Sequence, residues 1–345
     1  MLNMLDVLKT LILLNVCIFS SAFSAPYKSQ LKSPFTQWFC VDIAKNIDKS
    51  KPYAFSVGEL PLVAWFNETR PITTLNICKH MGSKLDQGRI QDGCLMCPYH
   101  NIRHNSNDAF GTAIIHEDKL WWSYEPLSNQ PPTTPYYKNK EYSTLMFTMD
   151  MDANIQDCIF NTLDINHFAH IHGNIFGKNM PLMNYKYKKY NDNKLSIQYK
   201  YDTNRNMELI KKGLENFQNF QVFQYPHTST AIISLNKNEK LIININMLPL
   251  APNKTRWIIT LKHNFWKSFF AKTKIDLTMK FILHQDKEQM ARQASDTMLK
   301  KSVVYKRILG NEEHFRELTR MFRDYEYPDM ISTMRLYNYH NNKKE

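Results

Sequence analysis

Cys78-Lys79-His80 and Cys97-Pro98-Tyr99-His100 are the two stretches that decide the fold of this chain. Each offers one thiolate and one imidazole, and the sixteen residues between His80 and Cys97 suffice for a β-hairpin that brings two loop tips together. One type of [2Fe–2S] cluster needs these ligands, because two cysteines hold one of its irons and two histidines hold the other. The pattern therefore predicts an iron–sulfur cluster bound by these two cysteines and two histidines.

A structural zinc site is the nearest alternative, because thiolates and neutral imidazoles also suit Zn²⁺. Zinc motifs usually pair like ligands, with two cysteines in one loop and two histidines in the other, whereas both loops here are mixed. A third possibility is that these are unrelated core residues. Gly82, Gly88 and Gly93 argue against it, since they mark turns between the two pairs.

The stretch from Trp38 to Trp122 resembles the Rieske domain of ring-hydroxylating and related Rieske-type oxygenases, whose two cluster loops match the motifs above. Two departures stand out. The family usually continues the second loop with Gly-Trp where this chain has Asn101-Ile102, and it usually has Arg where this chain has Met81. Neither change removes a ligand, but both can alter hydrogen bonding near the sulfurs and with it the reduction potential.

Length and charge narrow the function further. At 345 residues the chain can hold two domains with proper cores, and an electron-transfer Rieske protein needs only the first third of that length. The formal charge is +12, but the lysines are scattered along the chain, so we expect no nucleic-acid partner. A basic redox protein fits an acidic ferredoxin-type donor, although a merely solvated lysine-rich surface explains the charge as well.

The chain divides into five predicted segments: a targeting segment at 1–26, a Rieske domain at 36–125, a Pro-rich linker at 126–135, a catalytic domain at 136–330 and a tail at 331–345. In the first segment a short apolar run, Thr10 to Phe19, precedes small residues that suit signal cleavage. The string Ser21 to Pro26 resembles the junction of plastid-targeted proteins in algae with complex red plastids. The sequence therefore predicts a plastid location, with a secreted or cytoplasmic protein as the alternatives.

Periodicity predicts an α+β fold. Short alternating strands such as Leu60 to Phe66 and Lys119 to Trp122 indicate an antiparallel β domain at the N-terminal end. Beyond the prolines, Leu241 to Met247 and Trp257 to Leu261 read as strands and Leu277 to Arg292 as a helix. The resemblance implies that this second domain is a helix-grip (START/Bet v 1-like) fold, in which a curved antiparallel sheet holds a long helix.

A second metal centre is predicted from the string Asp164-Ile165-Asn166-His167-Phe168-Ala169-His170-Ile171-His172. Non-haem Fe(II) oxygenases bind iron through two histidines and one carboxylate. On a helix Asp164 and His167 would share a face, so that the carboxylate could orient the imidazole. Spacing alone does not choose between His170 and His172. The resemblance selects His167 and His172 as iron ligands and leaves His170 a packing or supporting role.

The third ligand should be a carboxylate on a later element. In Ile282 to Met290, helical spacing puts Ile282, Asp286 and either Gln289 or Met290 on one inward face, where a lone acid is costly unless it binds a metal or a partner. We therefore expect Asp286 to complete the iron site, as in the Gln-Asp string of the family. Glu288 is the rival, and an ordinary solvated acid is the alternative for either residue.

The resemblance implies an oxygenase. A ferredoxin or reductase would supply electrons to the cluster, and a mononuclear Fe(II) would activate O₂ beside an apolar or aromatic substrate. In the family Asp164 would bridge a cluster histidine of one subunit to His167 of the next within a homotrimer. Pocket candidates are Phe217, Phe220, Phe223, Tyr225, Trp257 and Phe265. The leader favours the branch of pheophorbide a oxygenase and chlorophyllide a oxygenase; the alternative is a non-catalytic plastid redox sensor of the import-translocon type.

Overall fold

The computed structural model describes residues 34–173, 182–191, 193–201, 218–265, 267–292, 313–322, 327–329, 332–336 and 340. The predicted targeting segment and most of the tail lie outside this part of the chain. Antiparallel sheets dominate, and a few helices pack on one of them. The predicted α+β class is therefore confirmed. Across the described ranges no helix combines the length and apolar character that a bilayer span requires.

The N-terminal half consists of nine short strands in three sheets. One sheet has the order β1-β9-β8 (Phe39–Ile43, Lys119–Ser123 and Thr112–His116). The second is β2-β3-β4 (Tyr53–Val57, Leu60–Asn67 and Arg70–Leu75). The third is β5-β6-β7 (Arg89–Gln91, Cys94–Met96 and Arg103–His104). Strands β5 and β6 of this small third sheet lie between the two cysteine–histidine stretches, and the second stretch forms the β6–β7 turn.

Three buried tryptophans hold these sheets together. Their rings fill the core, and each indole N–H donates to a main-chain carbonyl, so that their burial leaves no orphaned donor. The bonds are Trp65 Nε1 to the Gly93 oxygen at 3.2 Å, Trp121 Nε1 to the His116 oxygen at 3.1 Å and Trp122 Nε1 to the Phe110 oxygen at 2.9 Å. The first of these ties the central strand β3 to the hairpin between β5 and β6.

The C-terminal half is one seven-stranded antiparallel sheet with helices on one face. Its order is β10-β16-β15-β14-β13-β12-β11. In chain order the strands are Ser143–Met151, Leu182–Asn191, Lys194–Tyr201, Asn219–Gln224, Thr228–Ser234, Lys240–Ala251 and Lys254–His263. The helices are α1 (Ile155–Leu163), α2 (His167–Ile171), α3 (Phe269–Ala291) and α4 (Glu313–Met321).

The two faces of this sheet pack against different parts of the protein. On β15 the side chains of Ile243, Ile245 and Met247 belong to the apolar core that includes α1 and α3. Because strand side chains alternate, Asn244, Asn246 and Leu248 point to the opposite face, and there Leu248 joins the core of the N-terminal half. The helices therefore pack on one face of the sheet, and the first domain packs on the other.

A buried polar network joins the first domain to the seven-stranded sheet. Lys119 on β9 is fully buried, and its ammonium lies 3.3 Å from Thr134 Oγ1, 3.4 Å from Thr260 Oγ1 and 3.7 Å from Glu117 Oε2. The Thr134 hydroxyl in turn donates to Asn244 Oδ1 at 3.2 Å. Since unpaired buried charges are costly, this network fixes the relative position of the halves. The predicted linker therefore contributes Thr134 to the interdomain contact.

Helix α3 begins eight residues before the predicted Leu277. Ser268 caps it, accepting a hydrogen bond from the Ala271 N–H at 3.4 Å. The first turns escaped prediction because Phe269 and Phe270 are 78% and 84% exposed and follow no inward apolar pattern. The strand predictions for 241–247 and 257–261 are confirmed, since both lie inside β15 and β16.

We predict that Gly58→Ala destabilises the protein more than Gly82→Ala. Both glycines have positive φ, so either substitution costs about 1–2 kcal/mol of backbone strain. At Gly58 the added Cβ would also lie 2.2 Å from the Pro328 carbonyl oxygen, whereas nothing lies within 4 Å at Gly82. Thermal unfolding measures the difference, and equal losses of Tm in the two variants would contradict the close approach of the C-terminal segment.

Candidate metal centres

The two cysteine–histidine loops are built alike. In the first, the Cys78 N–H donates to the Ser83 carbonyl at 2.8 Å and the Gly82 N–H to the Cys78 carbonyl at 2.9 Å. In the second, Cys97 N–H donates to the Ile102 carbonyl at 2.9 Å and Asn101 N–H to the Cys97 carbonyl at 3.1 Å. Each loop therefore curls tightly around its cysteine.

This curling buries the sulfurs and exposes the imidazoles. Cys78 and Cys97 are 3% and 1% exposed, while His80 and His100 lie at the surface with their ring centroids 4.9 Å apart. The structure thus brings together all four predicted cluster residues, with the thiols inward and the imidazoles outward. Such a site offers a cluster one protein-covered side and one side accessible to an electron partner.

Main-chain N–H groups near both sulfurs oppose the effect of burial on the thiol pKa. Burial by itself raises the pKa of both thiols. At Cys97 the N–H groups of Tyr99 and His100 outweigh burial, with help from the Cys78 thiol and the Ser83 hydroxyl, so the Cys97 pKa is lowered. At Cys78 burial prevails over the N–H groups of His80 and Met81, and its pKa is raised. Donors aimed at both sulfurs fit thiolates bound to iron.

The departures at the second loop have a structural explanation. Asn101 has φ 56°, the left-handed region that glycine favours and asparagine tolerates better than most residues. Its side-chain oxygen accepts a hydrogen bond from Arg89 at 2.9 Å, and the next residue, Ile102, packs against the small core that contains both cysteines. Met81, in contrast, is 65% exposed. The substituted loop therefore keeps its shape.

The helix predicted through Asp164 and His167 is wrong, because the chain breaks between α1 and α2. Asp164 caps the C-terminus of α1 in an extended conformation, with ψ 98°, and His167 starts a new helix. The Nδ1 of His167 contacts the main-chain carbonyl of Asp164 rather than its carboxylate. The carboxylate accepts instead from the Asn166 N–H at 2.9 Å. Asp164 thus orients His167 through its backbone and remains half-buried.

The ligand atoms of His167, His172 and Asp286 lie close together in the protein interior. Asp286 on α3 places Oδ1 3.6 Å from His167 Nε2 and 3.2 Å from His172 Nε2. All three residues are buried, and their ligand atoms lie within 4.8 Å of one another. They form the one group of three or more such ligands at this spacing among the described residues. Ile282 and Met290, which share a face of α3 with Asp286, belong to the apolar core between the sheet and the helices.

Hydrogen bonds to the outer nitrogens set the direction of the two imidazoles. His172 Nδ1 lies 3.0 Å from Gln285 Oε1, and His167 Nδ1 lies against the Asp164 carbonyl. Because both partners are acceptors, each Nδ1 carries the proton and each Nε2 presents its lone pair to Asp286. Two lone pairs and a carboxylate facing one another in a buried space fit a cation.

Burial and the Asp286 carboxylate have opposite effects on the pKa of His167 and His172. Burial lowers the pKa of His167, although Asp286 opposes this effect. At His172 burial also disfavours the charged ring, but the hydrogen bond and attraction of Asp286 prevail and raise its pKa. Asp286 therefore favours positive charge beside His172, which is the charge that a metal ion held by these residues would supply.

The alternative iron ligands, His170 and Glu288, are exposed and lie outside this group of three residues. His170 is exposed, so neither a packing role nor iron binding fits it. Glu288 lies on the outer face of α3, 56% exposed at its side chain, with its carboxylate 3.5 Å from His284 Nε2.

Sequence reasoning missed Gln285 as the partner of His172, because a glutamine beside an acid carries no spacing signal of its own. Cys40, Cys94 and Cys158 are buried and form no disulfide with one another.

Sequence comparisons identify the first domain. The family model for the Rieske [2Fe-2S] domain matches residues 37–115. The oxygenase component of 3-ketosteroid-9-alpha-monooxygenase from Rhodococcus rhodochrous is 26% identical over 160 residues, 39% of this chain and 41% of that protein. Aminopyrrolnitrin oxygenase from Pseudomonas fluorescens is 38% identical over 69 residues, 20% of this chain and 19% of that protein. The chain thus spans about two fifths of the length of the steroid monooxygenase components it matches.

Solved structures share the whole architecture. NdmA from Pseudomonas putida CBB5, determined with caffeine, superposes with a TM-score of 0.67 at 14% identity, over 83% of this chain and 90% of that one. Dicamba monooxygenase bound to dicamba gives 0.61 at 13% identity, over 84% of this chain and 96% of that one. At such identities the likeness establishes the fold. The first domain is thus a Rieske [2Fe–2S] domain, and together with the fold the curated relatives support a Rieske-type non-haem iron oxygenase, a class whose members carry a [2Fe–2S] cluster and a mononuclear iron.

Proposed function

We propose that this protein is a Rieske-type oxygenase that uses electrons from a ferredoxin or reductase to activate O₂ and oxidise an apolar or aromatic substrate. One observation carries the proposal: His167, His172 and Asp286 are buried and present their ligand atoms to one another within 4.8 Å. A protein that only transferred electrons would have no need for this second site. A non-catalytic redox sensor is therefore the weaker candidate.

The residues divide the work between two sites. Cys78, His80, Cys97 and His100 would hold the cluster, and His167, His172 and Asp286 the mononuclear iron. When bound, the cluster supplies electrons one at a time and the mononuclear iron supplies O₂ chemistry. The backbone carbonyl of Asp164 and the Gln285 amide hold the two iron imidazoles in the required tautomer. The apolar residues around Asp286 exclude water.

Most of the pocket candidates lie in the apolar core on the helix side of the sheet. Phe223, Tyr225, Trp257 and Phe265 are buried there, in the same apolar cluster as Ile282 and Met290 of α3. Phe220 is 36% exposed, and Phe217 lies outside the described residues. The relatives are consistent with an apolar or aromatic ring, since they are named for a ketosteroid or were solved with caffeine or dicamba. A chlorophyll catabolite such as pheophorbide a is a narrower proposal within this class.

Two further parts of the proposal concern assembly and location. A homotrimer would place the exposed His80 and His100 of one subunit near Asp164 of the next, which is the family arrangement. A plastid location would follow from the leader at 1–26. Gel filtration and import into isolated plastids test these parts independently of turnover.

Substrate-dependent O₂ uptake tests the proposed activity directly. The reconstituted protein, a ferredoxin and its reductase are combined with a panel of ketosteroids, aromatic acids, purine alkaloids and chlorophyll catabolites. We expect at least one class to give uptake with stoichiometric oxygenated product. If the chain holds both metals, accepts electrons and still consumes no O₂ with any class, the sensor becomes the better description.

We expect Asp286→Asn to remove the mononuclear iron and spare the cluster. The amide cannot supply the negative charge that two neutral imidazoles require of the third ligand. Iron content should fall from about three to about two per chain, with the visible spectrum of the cluster unchanged. Glu288→Gln is the matched control on the outer face of α3 and should keep all the iron. Equal iron in Asp286→Asn and the parent protein would contradict the assignment.

We predict that Asp164→Asn keeps both metals and slows turnover roughly 10- to 100-fold. The asparagine preserves the main-chain carbonyl at His167 and an acceptor for the Asn166 N–H, so the break between α1 and α2 should survive. What it loses is the charge proposed to bridge the two centres of neighbouring subunits. Single-turnover rates of cluster oxidation, measured beside iron content, separate electron transfer from metal loss. An unchanged rate would refute the bridge.

A further inference from the structure

Helix α3 carries an exposed apolar stripe directly opposite the metal ligands. Phe270, Leu277 and Phe281 recur at i, i+7 and i+11, which places them on one side of the helix. They are 84%, 63% and 56% exposed, and Phe269 beside them is 78% exposed. The buried face of the same helix contains Asp286. This surface, formed by Phe269, Phe270, Leu277 and Phe281, is called the α3 stripe below.

Positive charge frames the α3 stripe. Lys274 and Lys280 are exposed on either side of it, and Lys267 is exposed just before the helix. The acid within this segment, Asp276, is half-buried and has one carboxylate oxygen inside the protein. Glu288 follows only in the last turns, where it faces His284. The first three to four turns therefore present large apolar side chains between lysines, with no exposed acid.

We infer that the α3 stripe is a peripheral binding site for an anionic lipid bilayer. An amphipathic helix that lies in the membrane interface has this composition, with Phe and Leu entering the acyl boundary and lysines at the level of the headgroups. The bilayer accepts protruding side chains without a complementary groove. Exposed apolar side chains clustered in this way indicate an interaction surface.

A second copy of the chain fits the α3 stripe less well. A symmetric contact would place the lysines of one stripe against those of the other, and no exposed acid is available there to neutralise them. An acidic protein would satisfy the charge but would need pockets for several protruding rings. The negative headgroups and deformable interior of a bilayer satisfy both requirements.

The position of α3 gives the binding a geometric consequence. The stripe and Asp286 lie on opposite sides of one helix, so the bilayer surface would be about one helix diameter, ~10 Å, from the proposed iron site. Binding to lipid does not require the proposed reaction. It can therefore be tested whether or not the oxygenase activity is established.

Vesicle co-sedimentation of the full chain tests the inference. We expect binding to vesicles of phosphatidylcholine with phosphatidylglycerol, weaker binding to phosphatidylcholine alone, and loss of binding at high salt. Phe270→Ser combined with Phe281→Ser should weaken partitioning at least about tenfold, because two rings leave the acyl boundary. The matched control is Leu127→Ser with Met334→Ser, two side chains that are 57% and 53% exposed elsewhere.

Charge is tested separately because the chain is basic as a whole. Lys274→Gln with Lys280→Gln should reduce binding to anionic vesicles several-fold, whereas Lys49→Gln with Lys51→Gln in the first domain should not. Unchanged circular dichroism shows that each variant is folded. Equal losses in both lysine pairs would overturn the inference in favour of diffuse attraction. Binding unaffected by the Phe270 and Phe281 changes, or a lipid-free oligomer that those changes dissociate, would overturn it as well.

Discussion

The contact between Asp286 and the two imidazoles is the constraint on which the structure depends. A carboxylate on the apolar face of α3, within 3.6 Å of both Nε2 atoms, is expensive to bury without a counter-charge. Among the described residues no lysine or arginine forms an ion pair with this carboxylate. Instead the protein fixes both imidazoles from behind, through Gln285 and the Asp164 carbonyl, so that they face the acid with lone pairs. This arrangement of ligand atoms fits a metal centre.

The antiparallel sheet explains how two centres fit in one chain. Its helix side holds Asp286, His167 and His172 in an apolar core, and its other side supports the first domain through Leu248 and the network around Lys119. The cluster residues belong to that first domain, with both imidazoles exposed. The sheet therefore positions a buried site for the proposed O₂ chemistry and an exposed site for the proposed entry of electrons.

Much of this could be read from the sequence, and the failures have identifiable causes. The cluster loops were predictable because ligand spacing in a short hairpin leaves few geometries. Asp286 was predictable because an acid on an apolar helix face contradicts the pattern around it. The break between Asp164 and His167 was not, since no Gly or Pro marks it and helical spacing suggested a carboxylate contact that the backbone carbonyl makes instead. The start of α3 was missed because Phe269 and Phe270 face outward, against the rule that large apolar side chains signal a core.

Mössbauer spectroscopy of the chain, reconstituted anaerobically with ⁵⁷Fe and reduced, tests the presence of two separate iron centres most directly. We predict two populations in a ratio of about two to one: a valence-localised pair with one cysteine-bound and one histidine-bound iron, and a single high-spin ferrous ion. A spectrum that contains the pair alone, in protein whose His167, His172 and Asp286 are intact, would contradict the second centre and leave an electron carrier.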